Sequence, residues 1–208
     1  MGLSRLTSHG KPGRLRSMST ERGLLDPGLP SDYAAVLRSL AGRTITNIYS
    51  YIHVGDLPSM LPGRLGGFSS GLEVDSGLSL VFSLLDSLSA MAVYVERDAN
   101  GQDWCEPIDE KQVRKIDAGD PLHGASSLMK FVGSTIERVE ILHMNRRQNR
   151  QLVAPEERGI LLGCGHGELV FGVGLDREDA MCDYPGIFLL ADLRPERMLT
   201  MRRISLTS

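Results

Sequence analysis

The sequence is poor in the residues that stabilise small secreted domains. Its 208 residues include three cysteines and one tryptophan, and aromatic residues make up only 5% of the chain. Cys105, Cys164 and Cys182 are odd in number and widely spaced. They therefore fit free thiols in a reducing cytosol better than a disulfide framework.

Two further absences exclude broad classes of partner. The net charge of −3 is too small for a nucleic-acid binder, and the basic loop Asn145–Arg150 has no interleaved aromatic residues for base stacking. No apolar run approaches the ~20 residues that a membrane span needs. A chain of this length can bury roughly 70% of its unfolded surface without a metal or disulfide. We expect a cytoplasmic globular protein that binds neither nucleic acid nor membrane, and the sequence leaves its oligomeric state open.

The first 30 residues differ in composition from the rest of the chain. They are rich in Gly, Ser, Pro and Arg, and no apolar core of a secretory signal follows their basic residues. Residues 1–30 are therefore predicted to form a disordered basic tail. Translation could start at Met1 or at Met18, and the sequence does not distinguish the two.

Periodicity then predicts a short helix followed by strands. Tyr33–Leu40 has helical spacing, with Ser31 or Asp32 as the N-cap and Gly42 as the stop. The alternating or β-branched segments that follow predict strands: Thr44–His53, a hairpin over Gly71–Leu85 that turns at Ser76-Gly77, Met91–Glu96, Gly186–Ala191, and Met198–Leu206 as an edge strand.

The second half of the sequence repeats the first. "LRSLAGRTITNI" (Leu37–Ile48) matches "LMKFVGSTIERV" (Leu128–Val139) without gaps. "GLEVDSGLSLVF" (Gly71–Phe82) aligns with "GILLGCGHGELVF" (Gly159–Phe171) after one insertion, which predicts a longer second turn. A lone helix–strand–hairpin unit cannot cover its own sheet, whereas two units can bury a shared core. We therefore predict a mostly β, α+β fold over residues 31–208. Two repeats, 31–96 and 125–208, form one pseudo-symmetric domain and are joined by an acidic connector, 97–124.

The glycine loop Gly163–Gly167 is similar to the cofactor loop of methyltransferases that use S-adenosylmethionine. That loop must open a long helix, but here only "ELVF" separates Gly167 from Gly172, and this segment favours a strand. Glu168 also stands where the third glycine of a dinucleotide fingerprint belongs. The repeat explains these glycines as a hairpin turn, so we expect no cofactor.

An alternative chemistry uses the same turn. Cys164 and His166 could serve a small enzyme or ligand-binding domain as a nucleophilic pair. They could also hold zinc with further ligands from Cys182, Asp183, Cys105 or His123. Structural zinc sites usually contain Cys-x-x-Cys pairs, which this sequence lacks, so we expect no metal. The sequence does not give the geometry of a catalytic pair, so a small enzyme or ligand-binding domain that uses Cys164 and His166 stays as the alternative hypothesis.

The remaining prediction concerns a binding surface. The stretch Glu96–Gly124 carries eight acidic and four basic residues; it is either a solvated connector or an acidic face for a basic partner. Trp104 is either an interface anchor or a pin that holds the connector to the sheet. The predicted partner-binding residues come from this connector and from the Gly/Pro-rich loop Val54–Ser70: Asp98, Asp103, Trp104, Glu106, Asp109, Glu110, Arg64 and Phe68.

The repeated element, a short helix followed by "LAGRTITNI" or "FVGSTIERV" and a hairpin, resembles the openings of small bacterial immunity proteins of polymorphic toxin systems. The likeness covers about 25 residues per unit. It implies a non-enzymatic cytosolic protein that binds and neutralises a cognate toxin domain, and it carries over no catalytic residue.

Overall fold

The computed structural model describes residues 27–59, 65–85, 90–105, 109–144, 147–148, 151–152, 156–173, 175, 185–193 and 201–207. Residues 1–26 of the predicted tail lie outside these ranges. Gly28 forms an isolated β-bridge with Val93, and Pro30 is buried. The described part of the chain therefore begins before residue 31, the predicted start of the domain.

The described residues are mostly β, as the sequence predicts, and most of their strands form two five-stranded antiparallel sheets. The first sheet, in the order β4-β3-β2-β1-β5, contains β1 (Ile45–His53), β2 (Ser69–Val74), β3 (Ser79–Leu85), β4 (Ala90–Arg97) and β5 (Val113–Asp117). The sequence did not predict β5, which lies inside the stretch assigned to the connector.

The second sheet repeats this arrangement, in the order β11-β10-β9-β6-β12. Its strands are β6 (Ile136–Met144), β9 (Glu156–Cys164), β10 (Gly167–Val173), β11 (Pro185–Leu189) and β12 (Met201–Ser205). A separate two-stranded ribbon joins β7 (Arg147–Gln148) to β8 (Gln151–Leu152). β12 lies at an edge of its sheet, as predicted.

The two sheets agree in register as well as in order. Each places the first strand of its half beside the second and the fifth. Both first strands carry a bulge at the same point, between Ile45 and Asn47 and between Ile136 and Arg138. Equivalent rows run through Ile48, Leu72, Leu80 and Val95 in one sheet and through Val139, Leu162, Leu169 and Leu189 in the other.

The register corrects the predicted alignment of the two hairpins. Leu80 and Leu169 are equivalent, as the shared Leu-Val-Phe suggests, but Leu72 corresponds to Leu162 rather than to Ile160. The first turn has three residues between Val74 and Leu78, whereas Gly165 and His166 alone connect β9 to β10. The second turn is therefore shorter than the first, and the prediction of a longer one was wrong.

Each half opens with a short helix, and the first is shorter than the predicted Tyr33–Leu40. The helices are α1 (Ala34–Arg38) and α2 (Ser126–Met129), and each buries one leucine, Leu37 or Leu128. The predicted N-cap was wrong, because α1 has no side-chain cap and the Asp32 carboxylate accepts from the Leu29 N–H instead. The helix ends at Arg38, before the predicted stop at Gly42, which lies in the turn that follows and has a φ of 79° that glycine adopts without strain.

The two halves meet through reciprocal backbone hydrogen bonds. The Gly42 N–H donates to the Ile136 carbonyl at 2.7 Å, and the Gly133 N–H donates to the Ile45 carbonyl at 2.8 Å. Between them, Thr44 and Thr135 form a β-bridge. The same residues of each half thus contact the other half, which is the pattern of an isologous interface.

The main core lies between the sheets, since the inward-facing side chains of both belong to one buried cluster. The rings of Phe82 and Phe171, at equivalent positions on β3 and β10, touch with centroids 4.6 Å apart. Among the described residues, no helix has the length and apolar character to cross a membrane.

Candidate functional site

The outer face of the first sheet carries an unusual concentration of aromatic side chains. Because side chains alternate along a strand, Tyr49, Tyr51 and Tyr94 point away from the main core. They form an outer aromatic cluster, which comprises Tyr49, Tyr51, Val81, Phe68, Tyr94 and Val113. The Tyr49 ring lies over Gly71, where a Cβ atom would be 2.1 Å from the ring. This face therefore requires a glycine on the neighbouring strand.

A half-buried carboxylate, that of Glu96, lies beside this cluster. β3 pairs Ser79 with Arg97 and Leu80 with Val95, and the resulting bulge leaves Glu96 without a cross-strand partner. The Glu96 carboxylate accepts from the Tyr49 hydroxyl at 2.5 Å and from the Ser79 hydroxyl at 2.8 Å. Its other oxygen accepts from the Tyr51 hydroxyl.

These contacts keep Glu96 ionised. Burial raises the pKa of Glu96, but the Tyr49, Tyr51 and Ser79 hydroxyls and the Lys115 ammonium together lower that pKa below its ordinary value. Burial, followed by the nearby Glu96 charge and its hydrogen bonds, raises the pKa values of Tyr49 and Tyr51. Burial also raises the pKa of Tyr94 to about 12. At neutral pH the site is a carboxylate held by protonated phenols.

Lys115 supplies a cation to this face. The Lys115 ammonium lies 3.7 Å from the centroid of the Tyr49 ring and 2.7 Å from a Glu73 oxygen. Next to it, the Asn47 amide donates to the Asp117 carboxylate at 2.9 Å. Asn47 and Glu73 are paired across β1 and β2. The polar end of the face thus holds Glu73, Asn47, Lys115 and Asp117.

The equivalent face of the second sheet has a different chemistry. Glu140 stands in the place of Tyr49, and Glu168 in the place of Ser79. Arg138 pairs with Glu140 at 3.0 Å and with Glu168, and Arg203 lies 3.7 Å and 3.5 Å from the same two carboxylates. Two arginines therefore neutralise two glutamates within this face.

The predicted contact residues of the connector surround a turn that follows β4. The Asp98 carboxylate accepts from the backbone N–H of Asn100 and of Gln102 and from Trp104 Nε1, at 2.8, 3.1 and 3.1 Å. Trp104 is half-buried and packs against the main core. Asp103 forms an exposed ion pair with Arg97 at 2.7 Å.

The other predicted contact residues are dispersed. Asp109 and Glu110 are exposed just before β5, and the Asp109 carboxylate accepts from the Lys111 N–H. Phe68 belongs to the outer aromatic cluster and stacks on His53, with centroids 4.6 Å apart. Arg64 and Glu106 lie outside the described residues, as do Cys182 and Asp183.

The turn between β9 and β10, which the alternative hypothesis makes an active site, does not bring the Cys164 and His166 side chains onto one surface. Cys164 is buried in the main core, whereas His166 is exposed. Burial, followed by the Glu137 charge, raises the pKa of Cys164 to about 11, so that the thiol is protonated at neutral pH. A protonated thiol is a poor nucleophile and a poor metal ligand. Among the described residues, no three His, Cys, Asp or Glu side chains are grouped so as to hold a metal.

Sequence reasoning missed the Glu96 site. It counted Glu96 with the acidic connector, but the carboxylate is enclosed by hydroxyls rather than presented to a partner. The sequence did contain one signal for the site. Tyr49 and Tyr51 on one strand, and Tyr94 and Glu96 on another, are two residues apart, and residues two apart on a strand lie on the same face. The bulge in β4, and the strand order that places β4 on the same sheet as β1 with β2 and β3 between them, could not be read from that spacing.

No family model, curated protein or solved structure matches this chain.

Proposed function

We propose that this chain is a non-enzymatic binding protein that recognises a basic surface of another protein. The specific form of the proposal is a cytoplasmic immunity protein that covers a cognate toxin domain and blocks it. The contact surface is the acidic connector, including Asp98, Asp103, Asp109 and Glu110.

The observation that carries the proposal is the rigid placement of ionised carboxylates along the connector. Hydrogen bonds led by the Gln102 N–H lower the pKa of Asp98. The N–H groups of His123 and Leu122, at 2.8 and 2.9 Å, likewise lower the pKa of Asp120. Charges fixed in well-formed turns lose little entropy when a partner binds, and they orient a basic surface as it approaches.

The chemistry of the thiols favours binding over catalysis. Cys164 is protonated and buried, and partial burial of the Cys105 thiol raises its pKa as well. The Glu96 carboxylate already accepts from three hydroxyls, which leaves it little capacity to take a proton from a substrate. These features favour the binding protein over the small enzyme at the Cys164/His166 turn.

We further propose that the two halves, 31–96 with β5 and 125–208, arose by internal duplication. The shared strand order, the bulge at the same position of β1 and β6, and the reciprocal contact through Gly42 and Gly133 support this origin. Divergence of the two outer faces then gave one half the aromatic cluster and the other an internally neutralised charge network.

The proposed function is tested with the full chain and the toxin candidate encoded beside its gene. Co-expression should restore growth of cells that make the toxin, and calorimetry should show a direct complex. Asp103→Asn with Glu110→Gln should weaken the complex roughly 2- to 30-fold, because exposed ion pairs contribute ~0.2–1 kcal/mol each. Glu137→Gln with Asp192→Asn removes two exposed acids from the second half and should leave affinity unchanged.

Two outcomes contradict the proposal. The first is that no complex forms and growth is not restored. The second is that Cys164→Ala with His166→Ala abolishes protection while the protein remains folded, since the alternative enzyme predicts this loss and the binding protein does not.

A further inference from the structure

A turn follows β4 and returns along the outer edge of that strand. Residues 98–104, which we call the 98–104 turn, contain three of the predicted contact residues: Asp98, Asp103 and Trp104. Asp103 forms a β-bridge with Arg97, and the Trp104 N–H donates to the Glu96 carbonyl at 2.8 Å. The turn is therefore fastened to β4 at the two residues of the bulge.

The bulge at Glu96 decides which face the later side chains occupy. Val95 faces the main core, so strict alternation would direct Arg97 inward as well. Ser79, however, pairs with Arg97 and leaves Glu96 as the extra residue. The Ser79 hydroxyl lies on the outer face, and side chains opposite each other on paired strands share a face. Arg97 therefore lies on the outer face, where its guanidinium also interacts electrostatically with Glu73 and Glu96.

The same shift sets the orientation of the 98–104 turn. Asp103 is opposite Arg97 and pairs with it at 2.7 Å on the outer face, whereas the next residue, Trp104, faces inward. The Trp104 ring packs against the main core, and its Nε1 donates to the Asp98 carboxylate at 3.1 Å. Without the bulge, alternation would turn Arg97 and Asp103 inward and Trp104 outward.

Hydroxyls around Glu96 hold the bulge at this residue. Three side chains of β1 and β3 donate to the carboxylate: Tyr49, Tyr51 and Ser79. A shift of the bulge by one residue would bring a neighbouring side chain to this point, and neither Val95 nor Arg97 can accept from a hydroxyl. The carboxylate is therefore the group that fixes the position of the bulge.

We propose that Glu96 is the positioning residue of the contact surface: by holding the bulge, it places Asp103 outward and Trp104 inward on the 98–104 turn. Glu96 acts through the turn and does not contact the partner, since the three hydroxyls occupy its carboxylate. The inference rests on the proposed function, because the partner that recognises the turn is the toxin domain named there.

Hydrogen exchange of the full chain separates positioning from general stability. The Trp104 N–H donates to the Glu96 carbonyl, and the Leu206 N–H donates to the Val139 carbonyl at 2.9 Å beside the edge of the second sheet. Glu96→Gln should speed exchange of the Trp104 amide roughly tenfold or more, because hydrogen bonds to a charged group are lost. The Leu206 amide should change much less, whereas a general loss of stability would speed both amides equally.

Two further variants control for stability and for folding. Phe171→Leu weakens the main core from the second sheet, so it should not speed the Trp104 amide more than the Leu206 amide. Tyr51→Phe removes one of the three hydroxyls from Glu96. It should speed the Trp104 amide selectively, though less than Glu96→Gln does, and it replaces that variant in the test if Glu96→Gln does not fold.

Affinity for the toxin gives the functional readout. Glu96→Gln leaves every acid of the 98–104 turn in the chain but displaces Asp103. It should therefore weaken the complex roughly 2- to 5-fold, the loss expected for one exposed ion pair. Phe171→Leu should leave the affinity unchanged, because it does not alter the turn.

The inference and the proposed function fail separately. Native exchange of the Trp104 amide in Glu96→Gln, equal acceleration of both amides, or selective acceleration with unchanged affinity would overturn the inference, while binding of the toxin by the native chain would still support the proposed function. If exchange at Trp104 is selective but the native chain neither binds nor neutralises the toxin, placement of the turn by Glu96 stands and the proposed function falls.

Discussion

At the scale of single residues, Glu96 makes the clearest energetic prediction. Replacement by Gln removes the charge that three hydroxyls solvate. We expect Glu96→Gln to lower the free energy of unfolding by ~1.5–3 kcal/mol at pH 7, the range for hydrogen bonds to a charged group. Chemical denaturation followed by circular dichroism measures this loss.

The pH dependence of that loss has a definite sign. The folded pKa of Glu96 is lowered from the ordinary value of 4.5, so its contribution is present above pH 4.5 and disappears as the pH falls through the folded value. The native chain and Glu96→Gln should therefore converge in stability in acid. Glu73→Gln is the matched control, and its exposed pair with Lys115 should cost less than ~1 kcal/mol. Equal losses for the two variants would show that the hydroxyl enclosure adds nothing.

The tyrosines predict the opposite behaviour in alkali. Burial raises the folded pKa values of Tyr49, Tyr51 and Tyr94 above the ordinary value of 10.0. Their contribution is complete below pH 10 and is lost as the pH rises through the folded values, because the unfolded chain releases these protons first. Ultraviolet titration should show these phenols ionising together with unfolding. Free titration of all the tyrosines near pH 10 in the folded protein would contradict this.

At the scale of elements, the positions of strands were easier to predict than which strands pair with each other. Alternation identified β1, β3 and β4, because one side of each faces the main core. β5 was missed because "VRKID" contains three charged residues and buries only Ile116 fully. The hairpin alignment failed since it matched Gly71 with Gly159 by letter, while the structure equates Leu72 with Leu162 in the buried row.

The turns that follow the two helices give a prediction for the repeated element. Gly42 and Gly133 have φ values of 79° and 86°, and open space lies where their Cβ atoms would be. Gly42→Ala and Gly133→Ala should each therefore cost only the backbone strain, ~1–2 kcal/mol. Gly55→Ala is the control, because it has the same open space without a left-handed backbone, and it should change stability by less than ~0.5 kcal/mol. Thermal unfolding compares the three, and unequal costs at Gly42 and Gly133 would argue against their equivalence.

At the scale of the whole molecule, the sequence predicted a mostly β chain, but not which side chains meet on either outer face. The inward rows are apolar in both halves, so hydrophobic patterning reveals them. The outer faces depend on which polar side chains meet across strands, such as Lys115 with Glu73 or Arg203 with Glu168. Those cross-strand contacts depend on the register of the strands, which one sequence does not specify.

The shared core predicts that both sheets unfold together. Phe82 and Phe171 join the two halves at the centre of one cluster, so a loss on either side weakens both. Phe82→Leu should lower the free energy of unfolding by ~1–3 kcal/mol. Trp104 fluorescence reports on the first sheet. Thiol labelling of Cys164 reports on the second, in a background where Cys105 and Cys182 are Ser. Phe82→Leu should lower the midpoint denaturant concentration reported by both probes by the same amount, because Cys164 becomes reactive only when the core between the sheets opens. Two separated transitions, with only the tryptophan signal moved by Phe82→Leu, would mean that the halves are independent folding units that merely touch.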